Sequence, residues 1–467
     1  MSRSLLPVPS IAQNLGLDEA YVELHGKSGV KLRLELLQDT RYPPTGKLVL
    51  VTATTPTPSG DRNTLISIGL AEALKRRGKR ALVTSSPNGM GAALGSTVDN
   101  AAAAHTLEEE FERIAPQFHR DAHSILTAHN LLTALIDAHL SGGNALDIDP
   151  AQITWPRSID LATSEIVAIL GLCRGRQDLR ERLARIVVAF TRVGYPVLAA
   201  DLNATDTLMA GLNETILPNL VQAAPGTAAL VHIGTVLAQQ MGVRLADYVI
   251  HDTGFASDLG AERYIDLVMP VSGIAPSAAV LVTSVAGLRH QGDGDLDRGA
   301  ANLYCHVENL AHFGLPVVVA IHHFPQDNRE ELRRIAQFCQ AAGVRHAGGD
   351  AELADHVVEL LETVEAPEVH PAYSAGDSLP DKVAAVARQV YGARGVSYSD
   401  QARRHLEQIS SLGFDRLPVC IAKTQFSLSD DPMLTGAPRH WDLHISDAHL
   451  KAGAGFVVLP AEAIGIS

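Results

Sequence analysis

Lys47-Leu48-Val49-Leu50-Val51-Thr52 is a short apolar, β-branched run that decides the fold. A Pro/Gly turn follows it, then Leu65 to Arg77 with apolar residues at helical spacing, then a second run, Arg80-Ala81-Leu82-Val83-Thr84. The pattern reads as strand, loop, helix, strand, which calls for a parallel pair joined by a crossover. Similar β-runs recur at Pro196-Val197-Leu198-Ala199, Tyr248-Val249-Ile250, Ala279-Val280-Leu281-Val282 and Val317-Val318-Val319-Ala320. The expected fold class is therefore α/β: a P-loop-type parallel sheet flanked by helices, with smaller α/β C-terminal domains. The expected boundaries are an N-terminal leader over 1–45, a P-loop-like α/β domain over 46–275, a second α/β domain over 276–370 and a small C-terminal α/β domain over 371–467. The Pro-rich passage from Pro367 through Pro380 marks the last seam.

Composition narrows the function classes. In 467 residues, 38 Lys plus Arg stand against 52 Asp plus Glu, a net charge of −14 that opposes a phosphate-driven grip on nucleic acid. With 46% hydrophobic and 19% charged residues the chain can build a large core; aromatics at 4% leave the packing to Leu, Val, Ile and Ala. Cys173, Cys305, Cys339 and Cys420 are far apart and form no Cys-x-x-Cys pair, so neither a disulfide framework nor a thiolate metal site is expected. The longest apolar runs, such as Leu315 to Ile321, fall well short of the ~20 residues a membrane helix needs. The expected compartment is the cytoplasm, with no membrane and no nucleic-acid partner.

After Thr52 the chain runs Thr55-Pro56-Thr57-Pro58-Ser59-Gly60-Asp61-Arg62-Asn63-Thr64 into a helix. This is the position of a phosphate loop, where backbone N–H groups at a helix N-terminus face an anion. A working loop also needs a Lys for the terminal phosphates and a Ser or Thr for Mg²⁺. Thr64 is present, but Asn63 stands where the Lys belongs and Arg62 where a Gly would leave room for phosphate.

Three stretches, the first of them the start of this loop, resemble the formate–tetrahydrofolate ligase family: Thr55-Pro56-Thr57-Pro58, Ala128-His129-Asn130-Leu131-Leu132 with Asp137 and His139, and Ala422-Lys423-Thr424-Gln425-Phe426-Ser427-Leu428-Ser429-Asp430-Asp431-Pro432. Shorter matches spread the likeness over nearly the whole chain, among them Ile153-Thr154-Trp155, Pro218 to Gln222, Asp258 to Glu262 and Phe324-Pro325. The resemblance implies an ATP-driven ligase: formate is phosphorylated to formyl phosphate, and N10 of tetrahydrofolate captures the formyl group. It further implies a cytoplasmic homo-oligomer, a tetramer in the family. Asp121, His123, His129 and Asn130 match an active-site passage, and Phe324-Pro325 matches the Phe-Pro pair that packs against the pterin. Arg345 or His346 stands near the place of a Trp that would close the other side of that ring.

The departures from the family fall on phosphate chemistry. The family's Gly-Glu-Gly-Lys-Thr reads Gly60-Asp61-Arg62-Asn63-Thr64 here, and its Arg-Glu-Pro-Ser-Leu-Gly aligns with Thr84-Ser85-Ser86-Pro87-Asn88-Gly89. Use of ATP and Mg²⁺ is therefore open, whereas tetrahydrofolate or 10-formyltetrahydrofolate remains the expected substrate. Two alternatives to the ligase follow: ATP-independent hydrolysis of 10-formyltetrahydrofolate, and a non-catalytic folate-binding or ligase-associated protein. His119 and His123, four apart, share a helix face, but no Glu or Cys stands at a matching ligand spacing, so no metal site is expected. Lys423-Thr424-Gln425 and Asp430-Asp431 fit either a ligand-facing loop or a hydrogen-bonded seam.

Overall fold

The computed structural model of the chain describes residues 7–25, 29–57, 63–85, 101–157, 161, 164–224, 226–363 and 365–462, and of 8, 25, 29 and 101–119 the backbone only. Its strands in chain order are β1 (Val22–His25), β2 (Gly29–Leu32), β3 (Lys47–Ala53), β4 (Ala81–Ser85), β5 (Ile148–Ile153) and β6 (Val187–Thr191). Then come β7 (Pro196–Leu198), β8 (Asn219–Ala224), β9 (Thr227–Val231), β10 (Tyr248–Ala256), β11 (Ala278–Ser284) and β12 (Val317–His322). The last six are β13 (Arg345–Ala347), β14 (Gly395–Tyr398), β15 (Val419–Ala422), β16 (Asp442–Ile445), β17 (His449–Lys451) and β18 (Phe456–Pro460).

Among the described residues, ten strands form one sheet in the order β1-β2-β8-β9-β4-β10-β3-β11-β12-β13. From β9 to β13 every pairing is parallel; the β1, β2, β8 and β9 edge is antiparallel. The expected α/β class is what the chain adopts. In β3 every residue after Lys47 is buried, as a strand covered on both faces requires. Side chains alternate across the sheet: Val49 and Val51 pack with Leu70, Leu74, Val280 and Leu353, whereas Leu48 and Leu50 join Leu237, Met241 and Leu303 on the other face. Burying each such Val or Leu contributes on the order of 1.5–3 kcal/mol.

The helix Asn63–Arg76 seats Leu70, Ala71, Ala73 and Leu74 on the sheet. It ends where Gly78 takes φ +76°, and the Gly78 N–H caps the Lys75 carbonyl; a residue with a Cβ resists that left-handed geometry. No helix among the described residues is long and apolar enough to cross a membrane.

Four expectations need correction. The stretch read as a leader supplies β1 and β2, which pair onto β8. The boundary at 275/276 divides a single sheet, because β11 hydrogen-bonds to β3 from Ala278↔Val49 to Val282↔Ala53. β3 and β4 are not neighbours; β10 lies between them, parallel to both. The run at 196–199 is not in the main sheet: β7 pairs antiparallel with β6 in a separate β5-β6-β7 sheet. The C-terminal segment carries two small sheets, β14-β16 and β15-β18-β17.

Candidate active site at the carboxyl edge of the sheet

The carboxyl ends of β3, β10, β11 and β12 lie side by side, the edge at which open α/β sheets bind ligands. β10 gains two residues on β3 between Asp252 and Ala256, and this bulge turns on Gly254 at φ +75°. Such irregularities re-aim side chains. Here the bulge is pinned by the Thr253 hydroxyl, which donates to the Val51 and Phe255 carbonyls. The Asp252 carboxylate accepts from Gly254 N at 2.9 Å through Oδ1 and from the Thr64 hydroxyl at 2.6 Å through Oδ2. Burial raises the Asp252 pKa, and the Thr64 and Gly254 hydrogen bonds oppose that shift.

Thr64 and Asp252 are thus a hydroxyl and a carboxylate brought together from the helix start after β3 and from the adjacent parallel strand. P-loop enzymes hold a nucleotide's Mg²⁺ with this pair of groups. The donor set fits the ion, since Mg²⁺ takes hard oxygen ligands. Asn63, beside Thr64 and buried, has an amide oxygen with no hydrogen-bond partner among the described residues. Gly60 and Arg62 lie outside the described residues.

Thr55, just past β3, enters a buried polar network. Its N–H donates to Asn302 Oδ1 at 3.2 Å, which fixes the amide so that Asn302 Nδ2 donates to Thr55 Oγ1 and to the Gly436 carbonyl, both at 2.8 Å. The Thr55 hydroxyl also hydrogen-bonds His306 Nε2 at 2.9 Å, and His306 Nδ1 hydrogen-bonds Ser257 Oγ at 2.7 Å. Burial pushes the His306 pKa down to about 4, in keeping with a neutral ring. His251, bonded to the Thr84 hydroxyl at 3.0 Å, is lowered to about 4 by the same cause.

The sign of the pH effect follows from that shift. Between about 4 and the ordinary value of 6.5, the unfolded state takes up more protons at position 306 than the folded state, so this group's contribution falls as pH drops. His306→Gln removes the contribution. The stability of the native chain relative to this variant is expected to fall by about 2 kcal/mol from pH 7 to pH 5 in urea unfolding. Parallel stability–pH curves would contradict the assignment.

The other residues singled out from sequence are dispersed. Asp121 is buried in an ion pair with Lys31 on β2, at 3.0 Å, and Lys31 also donates to the Glu214 and Leu217 carbonyls. That pairing ties the 41-residue helix Ala101–Ser141 to the sheet edge. His123 and Asn130 are exposed on the same helix. His129 is buried against Trp155, ring centroids 4.7 Å apart and planes at 28°.

Phe324 is half-buried just beyond β12, its N–H donating to Asp327 and its ring meeting His322 edge-on at 4.7 Å; Pro325 beside it is exposed. Arg345 stands at the opposite end of the neighbouring strand: it is level with Val318 near the start of β12, is exposed, and pairs with Glu359 at 2.9 Å. The structure therefore does not bring Arg345 and Phe324 together.

Lys423 takes the seam role. Its ammonium, fully buried, meets Asp258 at 2.7 Å, donates to the Ser427 carbonyl at 2.6 Å and sits 4.8 Å from the centre of the Tyr391 ring. This joins the end of β15 to the segment after β10. Asp252, Asn302, His306 and Ser257 escaped the sequence reading. Asp252 carried a usable signal, a His-Asp pair closing the apolar run Tyr248-Val249-Ile250 at a carboxyl end.

Comparison with known proteins bears on this arrangement. The family model described as formate–tetrahydrofolate ligase matches residues 1–163 and 161–466. The formate–tetrahydrofolate ligase of Symbiobacterium thermophilum is 38% identical over an alignment that takes in 97% of this chain and 92% of that protein. With a match of that extent, and a parallel sheet bearing the Thr64–Asp252 pair at its carboxyl edge, the chain belongs to the formate–tetrahydrofolate ligase family.

Proposed function

We propose that this protein is a tetrahydrofolate one-carbon enzyme that interconverts formate and 10-formyltetrahydrofolate, and that its ATP-driven step is weakened at Asn63. The observation that carries the reading is the 2.6 Å contact of Thr64 with Asp252 at the carboxyl edge. Those two side chains would hold Mg²⁺, which when bound with nucleotide supplies charge for phosphoryl transfer to formate. Thr55 holds the strand end in place through Asn302 and His306. The half-buried Phe324 ring offers a face for the pterin, and stacking of that kind contributes about 0.5–1.5 kcal/mol beyond burial. Chains of this protein are proposed to assemble as homo-oligomers.

The test is an assay of the purified chain with formate and tetrahydrofolate, with and without MgATP, following 10-formyltetrahydrofolate. Product that depends on MgATP is the expected result, at a rate well below that of a relative whose loop keeps its lysine. No product at saturating substrates would sink the ligase reading. The neutral Asn63 at the cation's position favours a second reading, ATP-independent hydrolysis. That one is checked by whether 10-formyltetrahydrofolate is lost faster than in buffer alone.

A further inference from the structure

Three carboxyl groups and two cations lie in the seam between the turns that follow β10 and the C-terminal segment. Asp258, Glu262 and Asp266 stand four residues apart along one helical stretch, 257–268, whose two ends are the π-helical turns Ser257–Ala261 and Tyr264–Val268. Arg263 lies among them, and Lys423 reaches them from the end of β15. All five side chains belong to residues at most 5% exposed. Lys423 answers Asp258 at 2.7 Å. Arg263 donates to the Ile421 carbonyl at 3.1 Å, lies 5.7 Å from the centre of the Phe255 ring, and attracts Glu262.

Glu262 shows how the surplus carboxyl is accommodated. Neither of its oxygens receives an N–H or O–H from a described residue, and its hydrogen bond is to Asp266. Asp266 accepts from Ala372 N at 2.8 Å through Oδ1, and its Oδ2 has no such donor. Two carboxylates cannot hydrogen-bond each other, whereas a carboxyl and a carboxylate can, through the proton that one of them carries. That proton also balances the five groups, leaving two negative charges against two positive ones. Burial, and then the repulsion of Asp266, holds Glu262 well above the usual carboxylate range, and burial raises Asp266 as well. The other groups that face the pair offer no cation in its place. Burial and the pair's own charge raise Tyr373, Tyr391 and Cys420, which stay neutral; Asp430, beyond Lys423, adds acid; and His306, beside Asp258, is a neutral ring.

We propose that Glu262 and Asp266 hold one proton between them and that this proton is a pH-sensitive latch: while it is held, the C-terminal segment stays docked on the stretch 257–268, and as it passes to water the two like charges push the seam open. The latch borders the carboxyl edge, because the same stretch leaves β10 directly and carries Ser257, bonded to His306, and Asp258, bonded to Lys423. An opened seam returns both groups to the ordinary carboxylate range, about 4. Closure is therefore strongest at low pH and is lost as pH rises through the raised value. Within that window each pH unit should favour opening by up to about tenfold, the effect of one proton.

The test is hydrogen exchange of the full chain between about pH 5 and about pH 8, corrected for the intrinsic rate and read by mass spectrometry in peptides covering 257–268 and 369–375. Protection in the native chain is expected to fall by at least about tenfold over that range. Glu262→Gln, whose amide donates to Asp266 without titrating, should keep its protection within about threefold. Asp266→Asn retains the oxygen that accepts from Ala372, should be as flat, and serves if Glu262→Gln does not fold. A flat native profile, or a slope that survives in both variants, would overturn the proposal. So would an equal slope in β13 at the edge of the sheet, which would mean that the whole chain loosens rather than the seam.

Discussion

A chain carrying Asn63→Lys is expected to make 10-formyltetrahydrofolate from formate, tetrahydrofolate and MgATP roughly 10²–10³ times faster than the native chain. Removal of one donor to a developing negative charge typically costs that factor, and restoring it should return the same amount. The pair that would hold Mg²⁺ is in place. Thr64 and Asp252 already meet at 2.6 Å, and position 63 opens a helix whose N-terminal N–H groups favour an anion. The amide oxygen of Asn63 has no partner among the described residues, so its removal breaks no bond in that set. Adding Asp252→Asn to Asn63→Lys should cancel the gain. A rate ratio within about threefold would mean that another group already neutralises the phosphates and that the weakening assigned to Asn63 is wrong.

Lys423→Met is expected to lower the unfolding free energy by about 3–5 kcal/mol, read as a shift of the urea midpoint. The loss comes from what stays behind: Asp258, 2% exposed in its side chain, would keep a buried charge with its cation gone. The carbonyls of Thr424 and Ser427 would lose a donor as well. The same argument predicts that adding Asp258→Asn to Lys423→Met recovers much of the loss, because the stranded charge goes with it. A single variant within about 1 kcal/mol of native would show that water or a neighbouring group solvates Asp258.

The parts legible in the sequence were those written in local periodicity. The run at 47–52, the helix after it and the run at 80–84 announce themselves through apolar spacing, and three later β-runs do the same. Strand order does not. That β10 inserts between β3 and β4 depends on which surfaces fit, and nothing near residues 47–84 encodes a partner some 170–200 residues away. The antiparallel edge was hidden because β1 and β2 are four residues each and carry Glu23 and Lys31, which blur the apolar signal. Lys31 also explains Asp121. An aspartate beside histidines on a helix looks like acid–base equipment until its cation, 90 positions earlier, is found beside it. Thr55 and Thr64 could be picked out because a phosphate loop is a contiguous motif, whereas Asn302 and His306 reach Thr55 from a helix about 250 residues on.

The insertion of β10 between β3 and β4 also sets a timetable for synthesis. When the ribosome has completed β4 at Ser85, the edges of β3 and β4 that will face each other across the future cleft are both bare, and Tyr248 is 163 residues away. At about 5–20 residues per second that interval lasts roughly 8–30 s. Through it the nascent chain carries two apolar strands and Thr64, whose partner Asp252 has not yet been made. Any fragment ending before Tyr248 therefore leaves the facing edges of β3 and β4 open, the kind of edge that pairs with another chain unless it is covered.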